Sequence, residues 1–217
     1  IDVVAWAYTR QSNAPDQQGW SERLGKFASL DPRMAFLSRY DTKWVHRKDG
    51  QLQLAYDYNI SLRAPSVDFR HAVDFLTAEA QRLGHPPRKV WAKIESRISQ
   101  ESIVQPEIPC MQRWAERFEE INLFDSPPLS AVFANWSHTG FFPTPVTELF
   151  AWMAYTNPPA TEQLLRAIAR RDFGSGQEEL VVDAWRDFSD AIWNFPFYFG
   201  LSYPMNTGFA QPFWLDA

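Results

Sequence analysis

The sequence predicts an α/β fold made of four successive βα units. They are of the kind expected in a (β/α) barrel, and a helical C-terminal tail follows them. Three observations predict it. Short apolar runs at residues 3–9, 34–39, 89–95 and 131–134 have strand length and are bounded by turn residues. A stretch with apolar residues at helical spacing follows each run. The strand starts Val3, Met34, Val90 and Ala131 lie at least the ~30 residues apart that a βα unit occupies. Such alternation implies a parallel sheet. Two parts are expected, a barrel segment over 1–156 and a helical region packed on it over 157–217.

The elements follow in order. After the first strand, Trp20, Leu24 and Phe27 recur at helical spacing, which predicts an amphipathic helix over 16–29. Asp31-Pro32 ends it, because a residue before proline avoids the helical region. The second strand ends in Arg39-Tyr40-Asp41. A polar excursion runs from Thr42 to Arg63, and the turn signal Lys48-Asp49-Gly50 inside it predicts a small hairpin. Pro65-Ser66 opens a helix with Phe69, Val73, Leu76, Ala80 and Leu83 on one face, and Gly84 stops it. The third strand is followed, beyond Pro106 and Pro109, by a helix whose stripe is Met111, Trp114, Phe118 and Ile121. Pro127-Pro128 precedes the fourth strand, Ala131 to Ala134, whose helix runs from Val146 to Tyr155. In the tail, Asn157-Pro158-Pro159 is a linker. A helix over 161–172 turns Leu164, Leu165 and Ile168 inward. Ser175 and Glu178 read as a capping box for a last helix facing inward through Val181, Ala184, Trp185, Phe188 and Ile192. The aromatic stretch Phe195 to Pro204 is expected to cover these helices.

Composition narrows the function classes. Hydrophobic residues at 45% fill a core, which excludes disorder. A net charge of −5 argues against a nucleic-acid partner, because neutralising phosphates needs a basic face. The 10 Trp supply either core or flat platforms on which the C–H faces of sugars stack. Cys110 is the only cysteine, so neither an internal disulfide nor a cysteine-based zinc site is available. No run reaches the ~18 apolar residues of a membrane span. Ile1 already lies in strand-like sequence, which suggests a piece of a longer polypeptide.

Strand alternation sorts the candidate site. On the third strand Trp91, Lys93, Glu95 and Arg97 oppose Ala92 and Ile94. Charged side chains on a buried strand cannot face an apolar helix layer, so they point into the barrel. The same reasoning groups Leu37, Arg39 and Asp41 on the second strand and Trp6, Tyr8 and Arg10 on the first. On the fourth strand, Asn135 and Trp136 stand at the carboxyl end, with His138 just beyond. The carboxyl ends of barrel strands are where such folds carry chemistry. Asp41 and Glu95 are therefore the candidate catalytic carboxylates, suited to acid, base or nucleophile in glycoside hydrolysis. Trp6, Tyr8, Arg10, Arg39, Lys93, Glu101, Asn135, Trp136 and His138 are candidate substrate contacts. A buried ion-pair network that closes the barrel top is the competing reading of the same charges. His46, His71, His85 and His138 are scattered, which gives no metal motif. Ser12, Ser38 and Ser137 lack a Gly-x-Ser-x-Gly elbow, and no Gly-rich phosphate loop occurs, so neither a serine hydrolase nor a nucleotide cofactor is expected. Trp185 and Trp193 are expected in the core.

Several segments resemble bacterial barrel proteins related to glycoside hydrolase family 20 and similar hexosaminidase-like enzymes. They are Ala5-Trp-Ala-Tyr-Thr-Arg-Gln-Ser-Asn13, Ser38-Arg-Tyr-Asp41, Ala92-Lys93, Asn135-Trp-Ser137, Arg171-Asp-Phe-Gly174 and Ala184-Trp-Arg-Asp-Phe-Ser189. The tail is also similar to the helical region that follows such barrels, including in α-glucuronidases, and the resemblance covers nearly all 217 residues as the second half of a (β/α)₈ TIM barrel. The resemblance implies a glycoside hydrolase, or part of one, acting on a complex glycan that contains N-acetylhexosamine. It implies no cofactor and an extracytoplasmic or periplasmic setting. The family's adjacent Asp-Glu pair at the end of its fourth strand is absent from this sequence, so by this resemblance it would lie upstream. Trp136 then resembles the family's Trp that walls the sugar pocket, and Asp41, Lys93 and Glu95 become substrate contacts. Two alternatives stand beside this one. One is a non-catalytic carbohydrate-binding barrel. The other is a structural half-barrel subunit that pairs with a missing N-terminal half-barrel or with a second copy along exposed sheet edges.

Overall fold

A computed structural model describes residues 3–6, 18–55, 59–94, 108–122, 124, 129–134 and 143–195. The strands are β1 (Val4–Trp6), β2 (Ala35–Arg39), β3 (Lys43–His46), β4 (Leu52–Ala55), β5 (Val90–Ile94) and β6 (Ala131–Ala134). The helices are α1 (Gln18–Ala28), α2 (Val67–Arg82), α3 (Met111–Asn122), α4 (Pro145–Met153), α5 (Thr161–Phe173) and α6 (Glu178–Trp193). The architecture is α/β, with a parallel sheet ordered β1-β2-β5-β6 and a separate antiparallel hairpin of β3 and β4. Among the described residues the sheet is open.

The register aligns Trp6 with Leu37, Leu37 with Trp91, Arg39 with Lys93, and Lys93 with Phe133. Side chains alternate, so each row across the sheet belongs to one face. Ala5, Phe36, Val90, Ala92, Ile94, Val132 and Ala134 join the main apolar core with residues from all six helices. The opposite face carries Trp6, Leu37, Arg39, Trp91, Lys93 and Phe133, none of which belongs to that core. The helix-facing and charged faces are thus separated as the alternation predicts.

Local signals explain the element ends. Ser66 caps α2, its hydroxyl accepting from the Phe69 backbone N–H at 3.1 Å. Gly84 follows α2 with φ of +67°, which a side chain would resist. Gly50, at φ of +84°, closes the hairpin turn, in which the Arg47 N–H donates to Gln51 O at 2.8 Å. Thr144 and Thr147 form a reciprocal capping box at the start of α4, with Pro145 in the first turn.

Three expectations are corrected in the helices. Leu83 lies at the C-cap of α2 and is 39% exposed, because the inward stripe ends one turn earlier at Ala80. Ser175 does not cap α6. The helix starts at Glu178 after Gln177, which makes no side-chain cap, and the Glu178 carboxylate accepts from Gly176 N–H and the Arg170 guanidinium. The inward face of α6 is Val182, Trp185, Ser189 and Ile192, while Phe188 is 49% exposed. Ser189 is drawn inward because its hydroxyl accepts the Arg113 N–H of α3 at 3.2 Å and donates to Trp185 O at 2.8 Å. α6 packs on both α3 and α5, so the tail shares the core of the sheet segment.

Among the described residues no helix is long and apolar enough to cross a membrane.

Candidate functional site

The carboxyl ends of β1, β2 and β5 bring three of the expected residues together. Trp6, Arg39 and Lys93 share the face opposite the core, and Arg39 sits beside Lys93 in register. The Lys93 ammonium lies 5.8 Å from the centroid of the Trp6 ring, a cation–π contact. Lys93 is fully buried and Arg39 is 9% exposed. Two adjacent buried cations repel each other, so such a row calls for anions or strong acceptors nearby.

Asp41 stands two residues past β2 and is 4% exposed. Its Oδ2 accepts from the Arg117 guanidinium of α3 at 2.6 Å. Burial pushes its carboxyl above the usual value, while the positive charges of Arg117 and Lys93 pull it back down. The expected catalytic Glu95 lies outside the described residues. So do the expected contacts Tyr8, Arg10, Glu101, Asn135, Trp136 and His138.

Sequence reasoning missed the residues that organise this end of the fold. Arg113 and Arg117 are one turn apart on α3, next to the apolar stripe, and both are fully buried or nearly so. Arg113 donates to Ile60 O and Leu62 O, each at 2.9 Å. Arg117 donates to Asn59 O at 3.1 Å and to Leu62 O at 2.5 Å, besides Asp41. Glu120 lies within 3.4 Å of Arg117 and 3.6 Å of Arg113, and Glu116 within 3.2 Å of Arg113. Burial lowers the Arg113 pKa to about 10, and the neighbouring Arg117 charge adds to the effect. The two guanidiniums therefore fasten the 59–62 return from the hairpin and hold Asp41 at the strand end. Their only sequence signal was spacing: the i, i+4 pair flanks Trp114 and Phe118, where long side chains can run along an apolar surface.

Among the described residues other reactive groups are few. His71 Nε2 meets Ser21 Oγ at 2.7 Å between α2 and α1, and burial lowers its pKa, with Asp74 opposing. His46 is on β3, remote in sequence from that pair. Among the described residues no group of three His, Cys, Asp or Glu side chains could hold a metal ion. Cys110 is buried and forms no disulfide among the described residues. Trp185 is in the core as expected, whereas Trp193 is only half-buried and lines a cleft at the hairpin turn. A larger cleft, about 630 Å³, opens at the opposite, amino end of the strands between Met34 and Lys89, away from the charged row.

The row sets two cationic donors beside an indole face, a combination chemically suited to oxygen-rich partners. Buried Lys and Arg donate to hydroxyl, carbonyl or carboxylate oxygens, and the indole offers an apolar face. Asp41 adds an acceptor, or a proton source when protonated. No family model, no curated protein and no solved structure matches the chain.

Proposed function

We propose that this chain is the second half of a (β/α)₈ barrel from a glycoside hydrolase acting on a complex glycan that contains N-acetylhexosamine. The observation that carries the reading is the row formed by Trp6, Arg39 and Lys93, with the Lys93 ammonium 5.8 Å from the indole, at the carboxyl ends of parallel strands. The sequential order β1-β2-β5-β6, with the apolar core on one face only, supports the barrel geometry. β1 and β6 are the outer strands of the described sheet. The remaining strands of the barrel, from the same polypeptide or a partner, would pair along them.

In this reading the sugar ring stacks on an indole, and Arg39 and Lys93 donate to ring hydroxyls or an acetamido oxygen. Asp41, raised by burial, keeps its proton more readily and suits the general acid that protonates the leaving oxygen. Glu95 is the second carboxylate, acting as nucleophile or as base towards water. A second reading, a non-catalytic carbohydrate-binding barrel, draws on one specific observation. Asp41 is already engaged by Arg117 at 2.6 Å, as a structural carboxylate would be.

Turnover of a panel of aryl glycosides, including an aryl N-acetylhexosaminide, tests both. Glu95→Gln is expected to lower kcat by about 10²-fold or more with KM little changed. Unchanged turnover removes Glu95 from the catalytic set. Saturable glycan binding with no turnover of any aryl glycoside favours the second reading.

A further inference from the structure

The cleft beside the hairpin turn is separate from the charged row and is built from three parts of the chain. It encloses about 280 Å³ and is lined by Arg47, Lys48 and Asp49 of the turn, Ser61 and Leu62 of its return, and Trp193 to Phe195 at the end of α6. That is just under the ~300 Å³ at which drug-sized sites begin, and it suits a single sugar ring. The Trp193 ring is held in place. The Arg113 guanidinium lies 3.9 Å from its centroid, and its indole N–H donates to Glu116 at 2.9 Å.

Two further cations approach the same ring. Lys48 Nζ and Arg63 Cζ each stand 5.9 Å from its centroid. Among the described residues neither has a carboxylate within salt-bridge distance. The one carboxylate lining the cleft, Asp49, is already engaged: it accepts from Gln51 N–H at 3.0 Å and lies 3.6 Å from Arg47. An indole with surplus positive charge standing 5.9 Å over its ring is complementary to a flat C–H face bearing a negative group.

We propose that this cleft is a subsite for a pyranose that carries an anionic group, a carboxylate or a sulfate. The ring stacks on Trp193, and Lys48 and Arg63 donate to the anion. The inference rests on the carbohydrate reading above and extends it by naming the charge of the glycan.

Indole N–H spectra of the ¹⁵N-labelled protein, with the Trp193 signal assigned by its loss in Trp193→Phe, test the proposal. D-glucuronate or N-acetylglucosamine 6-sulfate is expected to shift that signal saturably, and the tighter of the two identifies the anionic group. In the double variant Lys48→Ala/Arg63→Ala, whose melting temperature checks folding, binding is expected to weaken about ten-fold or more. Added salt is expected to weaken it in the parent protein as well. The proposal is overturned if neither anionic sugar shifts the signal, or if neutral D-glucose shifts it equally. Equal binding of inorganic sulfate would make the cleft a bare anion site, and tighter binding of poly-glutamate would make it a protein-docking site; either overturns it too. Because the readout is binding, it stands apart from turnover: hydrolysis of aryl glycosides without the shift removes the subsite and leaves the hydrolase reading intact.

Discussion

Two pairs of arginines with the same spacing have opposite surroundings. Arg113 and Arg117 lie one turn apart on α3, and Arg166 and Arg170 lie one turn apart on α5. The first pair is buried and bonds mainly to backbone carbonyls of residues 59, 60 and 62, with one carboxylate, Asp41, fully enclosed. The second pair is exposed and bonds to the carboxylates of Glu179 and Glu178 on α6. The donors are the same, but both their partners and the dielectric around them differ. An enclosed guanidinium that loses a partner leaves uncompensated charge and orphaned carbonyls, whereas an exposed one is taken up by water.

The largest expected effect tests the enclosed pair. Arg117→Ala takes the guanidinium partner from the Asp41 carboxylate and one donor each from the carbonyls of Asn59 and Leu62, the latter keeping Arg113. It is expected to destabilise the fold by about 3–5 kcal/mol in urea unfolding. A loss no greater than that of an ordinary surface substitution would show that water reaches this site.

Acid titration sharpens the contrast, because two carboxylates are shifted in opposite directions. Burial raises Asp41 from its ordinary value of 3.8. The folded state therefore binds its proton more tightly, and the stability this brings is present at low pH and lost as pH rises through the raised value. Glu178 is lowered from 4.5 to about 2 by its own backbone N–H and by Arg170. Its contribution is present above 4.5 and lost as pH falls towards about 2. On going from neutral pH to about pH 3, Asp41→Asn is expected to lose stability relative to the parent protein, and Glu178→Gln to gain on it. Urea midpoints of the three proteins at both pH values decide this, and slopes of the same sign would erase the distinction.

The smallest effect is expected at the exposed pair. Arg166→Gln removes a 2.7 Å contact to Glu179. The urea midpoint should stay within measurement error, since screening and side-chain entropy offset such contacts. A clear shift would mean that α5 and α6 depend on their surface charges as well as on Leu164, Leu165, Val182 and Trp185 between them.

The same division explains what could be read from the amino acids. Elements set by short-range rules were legible. Ser66 precedes an apolar stripe and caps α2, Gly84 follows it at positive φ, and the Lys48-Asp49-Gly50 turn closes the hairpin. Strand alternation placed Lys93 and Arg39 on the face away from the helices, because only two faces exist. The interior arginines were not legible. A charge on an amphipathic helix is ordinarily solvated, and the carbonyls that hold Arg113 come from residues more than 50 positions away in sequence. The face of α6 was misread for a related reason. Ser189 replaces Phe188 inside because α3 offers it an N–H donor, a partner no local pattern contains. Of the expected mouth, Trp6, Arg39, Lys93 and Asp41 have described positions, and the others fall outside the described residues.

The grip of Arg113 and Arg117 on residues 59–62 has a consequence for redesign. Main-chain oxygens are common to every amino acid, so this clamp recognises the path of the return segment and is indifferent to which side chains the segment displays. The solvent-facing positions of the hairpin from His46 to Leu52, with Gly50 kept for its positive φ, can then be rewritten without changing how it is anchored. Libraries that vary this tip while keeping both arginines offer a route to altered ligand preference on a constant frame.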